Sequence, residues 1–595
     1  MMTGKKLKRW LRYFIVALGV LFLIYYFGFE LPFRGTPFNA QRHGNPPLTP
    51  AWALECWLWE DDENTAERVD YLLEGYARHD IPVRTILLDS PWSMRYNDFE
   101  VDTILYPDPE EWFGKLKDEG YRVVLWMTTM VNSRNKDTRI RDSEEWYNEA
   151  RDNGFLAGKD GQVRWWKGKG GFVDYTNPDA MQWWRGMQQQ VFDLGIDGWK
   201  LDGTATFFSS RIGPIPLFYK NTHKGIMTAR KYMDHFYRDE YHHGLTRNPE
   251  FITLSRAIDR WYHPEGFAPI DAAPVTWVGD QTHTWESTGQ MFEEDKWNTD
   301  ISMGKIDGME LAIQNIMASA SLGYNIIGSD VAGFSGRTIP PRLYIRWAQF
   351  SAFCGLFLNG GHGERALWNR SQQELEIIRK FSWLHTEMIP YMYTYVVNAH
   401  HGGEVLQRPL ERGKYHYIFG DHFLVAPIYR DQLENSISLP EGKWRYFFDD
   451  KEVVEGPTTL TREFPLDEFS VYIREGAIVP MNITRDYTGI GDNSSEGYLT
   501  LLIYPEERST FTVHHPDESG STRVLVENDP QTINISLEGV NKPHILNINL
   551  TAPPERVELD GSVLSDTENY TFDSNKNKLI IRTGRYSIGK YLIFK

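Results

Sequence analysis

Cysteine is nearly missing from this chain: 595 residues include 2, Cys56 and Cys354. Each lies in an apolar run, and two residues cannot build a disulfide framework. No CxxC, HExxH or EF-hand spacing occurs, so no metal and no cofactor is expected. Positive charge is also short, because 63 Lys and Arg against 81 Asp and Glu leave a formal net charge of -18. Nucleic acid needs clustered cations on one face, so it is excluded as a partner. Internal repeats and low-complexity tracts are lacking, and only one hydrophobic run is long. What the chain has in plenty is aromatic surface, 14% of residues with 21 Trp. Flat apolar faces with a polar handle suit sugar rings as well as protein cores.

The one long run is at the start. In "KKLKRWLRYFIVALGVLFLIYYFGFE" the bases Lys5, Lys6, Lys8, Arg9 and Arg12 precede an uncharged stretch from Tyr13 to Phe29, closed by Glu30. Trp10, Tyr25 and Tyr26 flank it as interface residues do. A cleavable signal is the alternative, but no small-x-small site follows promptly. Residues 1–30 are therefore expected to form a retained single-pass signal-anchor. The basic end would lie in the cytoplasm and the bulk of the chain beyond the membrane, in a periplasmic, luminal or extracellular space. Six N-x-S/T sequons, at Asn369, Asn482, Asn493, Asn534, Asn549 and Asn569, matter only in a glycosylating host.

A Pro-rich linker, 31–50, leads into alternating elements. "AWALECWLWE", "VRTILLD", "YRVVLWM", "GIDGWKLD", "FITLSR", "PVTWVGD", "YNIIGSD" and "FCGLFLNGGH" read as 8 strands, each almost continuously apolar. Helical segments near 65–79, 109–119, 179–193 and 307–322 separate them, and a Trp-rich excursion covers 132–178. Strands buried on both faces and alternating with helices predict an α/β fold, a (β/α)8 TIM barrel over 51–395, with an open doubly wound sheet as the alternative. The polar residues favour the barrel, because Asp89, Asp202, Arg256, Asp280, Asp330 and His362 all fall at strand C-termini, where a barrel gathers its site. From about 400 the style changes to short alternating strands with turns. Two C-terminal β-sandwich domains are expected, a proximal one at 396–483 and a distal one at 484–595.

Asp202 and Asp280 each close a strand amid Trp and Gly. Cleaving a glycosidic bond with retention takes a carboxylate nucleophile and a second carboxyl, about 5 to 5.5 Å away, that gives and then takes a proton. Two aspartates alone in an acidic chain are a weak signal, because such residues usually cap or pair. Their surroundings are more specific. "GIDGWKLDG", "LSR", "TWVGDQTHTW", "GSDVAGF", "RWAQFSAF" and "GLFLNGGHGERALW", in that order, resemble the family 31 glycoside hydrolases. "IPVRTILLDSPW", "FVDYTNPDAMQWW" and "FSVYIREGAIVP" extend the resemblance over roughly 52–520.

The resemblance implies that Asp202 is the nucleophile and Asp280 the general acid/base of a retaining exo-acting α-glycosidase. Asp202 must then stay ionised while Asp280 holds a proton. It implies that Arg256, His362 and Asp89 hold sugar hydroxyls in the terminal subsite, and that Asp330 either touches sugar or braces loops. Trp126, Trp199 and Trp277 are candidates for an aromatic wall. Lys200, two before Asp202 and on the same strand face, is the residue that bears on substrate. Family branches acting on galactose-like or xylose-like units tend to have Lys there, so an α-galactoside or α-xyloside is favoured over an α-glucoside. Two departures stand out. The Glu that many members carry just after the nucleophile is absent from "DGTATFF", and only about 50 residues precede the barrel where most members have a β-sandwich. The expected partner is an α-linked oligosaccharide or glycoconjugate. The other readings are a transglycosylase using the same site and a non-catalytic, membrane-anchored carbohydrate-binding protein.

Overall fold

The computed structural model describes residues 4–34, 44–158, 161–203, 211–212, 215–216, 219–257, 268–291, 305–336, 338–517, 519–565 and 568–595. Residues 204–210, which include most of the "GTATFF" departure, lie outside them, as does part of the 31–50 linker.

Eight parallel strands form the central sheet: β1 (Trp57–Leu58), β2 (Thr85–Leu88), β3 (Arg122–Met127), β4 (Gly198–Leu201), β5 (Ile252–Arg256), β6 (Val275–Trp277), β7 (Ile327–Gly328) and β8 (Leu358–Asn359). Their spatial order is 7-6-5-4-3-2-1-8. The two ends then meet: Leu356 N–H donates to Ile327 O at 3.2 Å, Val331 N–H donates to Leu358 O at 2.8 Å, and Asp330 bridges Leu358 in parallel. The sheet is thus a nearly closed barrel, as the apolar strands predicted. Helices cover its outside, among them α2 (Ala66–Arg78), α3 (Pro109–Asp118), α5 (Pro178–Asp193), α6 (Ala229–Arg247), α7 (Met309–Ser321), α8 (Pro341–Ser351) and α9 (Gln372–Glu387), with α4 (Glu144–Asp152) in the excursion. Their starts follow from local chemistry. Thr65 caps α2 by accepting from Arg68 N–H, and Ser371 and Glu374 cap each other's backbone at α9.

The first expected strand is shorter than its apolar run. Pro50, with φ -62°, sets residues 51–54 into a 3-10 turn, and pairing begins only at Trp57. The excursion after β3 is a small antiparallel sheet in which Met130–Asn135 pairs with Gly168–Val173.

Beyond α10 (Ile389–His400) come a six-stranded antiparallel sheet within 407–474 and a nine-stranded sheet within 478–594. Arg346 of α8, 1% exposed, ties the first sheet to the barrel by donating to the carbonyls of Phe464 at 2.7 Å and Glu468 at 2.6 Å. Arg485, at the start of the second sheet's domain, pairs with Asp80 beside α2 at 2.8 Å. At the other end of the chain α1 (Gly4–Tyr25) runs on as a wider-wound helix through Arg34. Its 25-residue segment Lys8–Pro32 is apolar and unburied, long enough to cross a membrane.

Barrel closure has a point of no tolerance. A Cβ on Gly328 would sit 2.3 Å from Leu356 O, a backbone atom that cannot swing aside. Gly328→Ala is expected to cost about 2–3 kcal/mol, read as a lower denaturation midpoint in urea, whereas Gly186→Ala on the exposed side of α5, where nothing lies within 4 Å, leaves it unchanged or raised.

Candidate active site

Alternation along the strands decides what enters the barrel mouth. On β4 the side chain of Lys200 and, one step past the strand, that of Asp202 point inward, so Trp199 and Leu201 point out. Trp199 accordingly packs on Phe99, Phe192 and Phe251, ring centroids 5.6 to 6.2 Å away, and is fully buried. This corrects its expected place in an aromatic wall: it belongs to the layer between sheet and helices. Trp126 is level with Lys200 on β3 and does face in. Arg256 and Trp277 are paired across β5 and β6.

The centre of the site is a guanidinium shared by two carboxylates. Arg256 Nε donates to Asp202 Oδ1 at 3.0 Å, and its Nη2 donates to Asp280 Oδ2 at 3.0 Å and to Oδ1 at 3.3 Å. The Arg256 plane lies over the Trp277 ring at 4.6 Å. Asp202's other oxygen accepts from Trp126 Nε1 at 3.2 Å. Burial works against charge on Asp202, but Arg256, Lys200, the Gly203 N–H and Trp126 together outweigh it and hold the carboxyl below its ordinary range. Asp280, with a quarter of its side chain exposed, is the more open of the pair, against 13% for Asp202. The "WVGD" motif has a steric reason as well. Gly279 has φ +99°, and a Cβ there would meet Arg256 Nη1 at 2.8 Å.

Lys200 forms the floor. Its Nζ donates to Asp89 Oδ2 at 2.6 Å and lies 4.2 Å from the Trp59 ring centre and 5.3 Å from that of Trp277. Burial opposes its charge, yet Asp89, Asp202 and Asp330 raise its pKa above the ordinary lysine value. The expected hydroxyl donor is therefore first a counter-ion: the ammonium serves three carboxylates before any sugar. Asp330 accepts from Trp59 Nε1 at 3.2 Å, and burial, with Asp280 adding to it and Lys200 opposing, pushes its carboxyl up to about 7.

His362 has both ring nitrogens engaged, Nδ1 with Asp62 Oδ1 at 2.6 Å and Nε2 with Asp61 Oδ2 at 3.1 Å. Burial opposes the imidazolium, but the two carboxylates raise its pKa. Asp61 in turn is pushed up to about 6 by burial and by Asp89, against the pull of His362, Lys167 and Lys200. His362 is joined to the cluster through Asp61. Four participants escaped the sequence reading: Trp59, Asp61, Asp62 and Trp165. The last comes from the excursion and stacks on Trp126 at 6.3 Å and 11°. The signal for the first three was present in "WLWEDDE", which ends β1 in the same way that the other strands end, but a run of acids reads first as solvated surface.

Both thiols are buried and unpaired, with Cys56 pushed up to about 12 by burial and so inert. Among the described residues no group of three or more His, Cys, Asp or Glu is arranged to hold a metal ion.

Residues 46–395 match the family model described as the glycosyl hydrolases family 31 TIM-barrel domain, and residues 392–479 match the family 31 C-terminal domain. An alpha-xylosidase of Emericella nidulans is 28% identical over 469 residues, covering 74% of this chain and 54% of that protein. An isomaltosyltransferase of Sporosarcina globispora is 23% identical, covering 92% and 52%. The chain spans about half the length of these two relatives. In fold, it is similar to a Flavobacterium johnsoniae family 31 dextranase complexed with isomaltotriose, with TM-score 0.78, 20% identity, and 93% of this chain and 72% of that one covered. It is equally similar to a cycloalternan-forming enzyme of Listeria monocytogenes in complex with a pentasaccharide substrate, with TM-score 0.78, 21% identity, and 94% and 56% covered.

The raised carboxyl of Asp330 makes a stability prediction. A folded-state pKa of about 7 against the ordinary 3.8 means that the neutral form suits the fold, a contribution present at low pH and lost as pH climbs through 7. Asp330→Asn keeps the acceptor for Trp59 and removes the titration. Its thermal midpoint should exceed the wild type's at pH 8, by less at pH 5, and the gain should vanish below about pH 3.8.

Proposed function

Since the chain belongs to glycosyl hydrolase family 31, we propose that it is a retaining, exo-acting α-glycosidase that works by double displacement on Asp202 and Asp280. The observation that carries this reading is the shared Arg256 guanidinium, which fixes both carboxylates at the mouth of the barrel while leaving Asp280 the more open. In the first step an Asp202 oxygen bonds to the anomeric carbon as the bond from that carbon to the leaving oxygen breaks. Asp280 gives its proton to the leaving oxygen. In the second, Asp280 takes a proton from water, the water oxygen bonds to the anomeric carbon, and the ester to Asp202 breaks. The acid role requires Asp280 to part from Arg256 Nη2 while Arg256 Nε keeps Asp202 in place. Substrate hydroxyls that bind the guanidinium would drive that exchange.

For the sugar, Lys200 and the 28% identity to an alpha-xylosidase support an α-xyloside or α-galactoside over an α-glucoside. Transfer to an acceptor sugar has its own support. Trp166, 45% exposed beside Trp165, offers a flat face in the excursion, and the isomaltosyltransferase is similar over 92% of the chain. Product analysis with excess acceptor separates the two reactions. A non-catalytic binding protein would leave this charge arrangement without a purpose.

The test is a screen of aryl α-glycosides of xylose, galactose, glucose, N-acetylgalactosamine and sulfoquinovose. Asp202→Ala should abolish turnover. Asp280→Ala should lose about 10²–10⁴-fold on poor leaving groups and far less on activated aryl ones, so equal losses on both would refute the acid role. Lys200→Met removes a cation that holds Asp202 ionised. The acid limb of kcat/KM against pH should then move to higher pH, and an unmoved limb would leave Lys200 a packing residue only.

The location is also a proposal. The apolar segment Lys8–Pro32 anchors the chain in a membrane with the barrel on the far side from Lys5 and Lys6. Protease added to sealed cells or spheroplasts should then remove the barrel and spare the N-terminal stub.

A further inference from the structure

Away from the barrel mouth, a cavity of about 400 Å³ opens where three parts of the chain meet. One wall is Lys380 and Leu384 of α9. The second is the turn carrying Phe447 and Phe448 in the six-stranded sheet, and the third is the nine-stranded sheet around Tyr504, Asn547 and Lys578. None of its lining residues belongs to the catalytic cluster. Its size is that of a small-molecule site rather than a packing fault.

The lining has a definite chemistry. Its charged members are four lysines and four carboxylates, so the cavity favours neither an anion nor a cation. Much of that charge is already balanced within the wall. Asp450 Oδ2 accepts from Tyr504 OH and from Lys578 Nζ, each at 2.5 Å, and Lys380 Nζ donates to Asp467 O at 2.7 Å. Two features remain open. Phe447 and Phe448 are only partly buried and turn aromatic surface to the cavity rim. Asn547 is 6% exposed and lines the cavity, and its Oδ1 is buried without a hydrogen-bond partner. Buried polar groups are rarely left unpaired, so an acceptor just behind a cavity wall can take a donor that arrives with a ligand once the amide turns outward. Aromatic faces, donors and acceptors in mixture, and no net charge are the features that recognise a neutral polyhydroxylated ring.

We propose that this cavity is a second carbohydrate-binding site, which holds a neutral sugar unit of the glycan on which the barrel acts. The identity of the glycan rests on the catalytic reading, whereas the cavity's chemistry does not. Its use would be to keep a long or surface-borne glycan beside the barrel between cleavage events, an effect of raised local concentration.

The test uses the full chain in detergent micelles with Asp202→Ala to stop turnover, and diazirine-tagged α-linked trisaccharides of glucose, galactose and xylose. Crosslinked peptides are mapped by mass spectrometry. Crosslinks are expected in residues 447–451 or 573–578 in addition to those around residue 202. Asn575→Trp, on an exposed turn at the cavity mouth, should reduce the cavity crosslinks about tenfold, as expected for loss of one contact worth about 1.4 kcal/mol, and leave those near residue 202 unchanged. Phe448→Ala should act in the same direction by removing the stacking face. Absence of cavity crosslinks with all three probes overturns the proposal, whatever happens near residue 202. So do cavity crosslinks indifferent to both substitutions. Crosslinks confined to the cavity would uphold it and count against the barrel as the sugar site.

Discussion

Everything at the barrel mouth depends on how one ammonium is kept charged where water does not reach. Lys200 Nζ is enclosed by two indole faces and bonded to Asp89, with Asp202 and Asp330 close enough to act on it. A buried cation is costly without such partners, and buried carboxylates are costly without the cation. Lys200, Asp89 and Asp202 therefore stand or fall together, while Asp330, the deepest carboxyl, is pushed toward its neutral form. Arg256 continues the same logic one layer outward, where it joins Asp202 to Asp280. The site is a stack of alternating charges that narrows from an exposed carboxylate to a sealed ammonium.

This arrangement explains why environments differ among carboxyls of identical chemistry. Asp202 receives an arginine, a lysine, an indole N–H and a backbone N–H, and stays ionised. Asp330 lies as deep but shares its cation with nearer claimants, and is pushed up to about 7. Asp61 is intermediate because His362 offsets part of its burial. Such a gradient costs stability, which is borne by the closed sheet beneath and by the C-terminal sheets that Arg346 and Arg485 fasten to the outer helices.

How much of this was legible in the sequence follows from what each residue's neighbours disclose. Barrel strands buried on both faces leave long apolar runs, so all eight could be read, although Pro50 shortened the first. Carboxylates ending those runs are conspicuous, which made Asp202, Asp280 and Asp89 readable. Asp61 and Asp62 sit among other acids in "WEDDE", where a functional carboxylate looks like a solvated one. Trp199 misled because a Trp close to a strand-end carboxylate draws attention, whereas strand alternation sends it to the opposite face from Lys200. Trp165 could be recognised as part of an aromatic excursion, but not as the ring stacked on Trp126, because that contact spans 39 residues and depends on how the small sheet folds back. Lys200 is conspicuous for its position two before Asp202, but its bond to Asp89 joins strands far apart in the chain and could not be read from either.

The hydrogen bond from Trp126 to Asp202 ties the excursion to that carboxylate, since Trp165 stacks on the very ring that holds it. Loops around a barrel are commonly regarded as interchangeable parts, to be swapped between relatives to graft a new preference. Here the third loop is not such a part. A donor loop that shapes the outer pocket well but lacks a ring in the place of Trp165 would loosen the Asp202 carboxylate. Inheritance of this excursion and of the strand carrying "KLD" is therefore coupled, and chimaeras across the family should succeed only when the two are exchanged together.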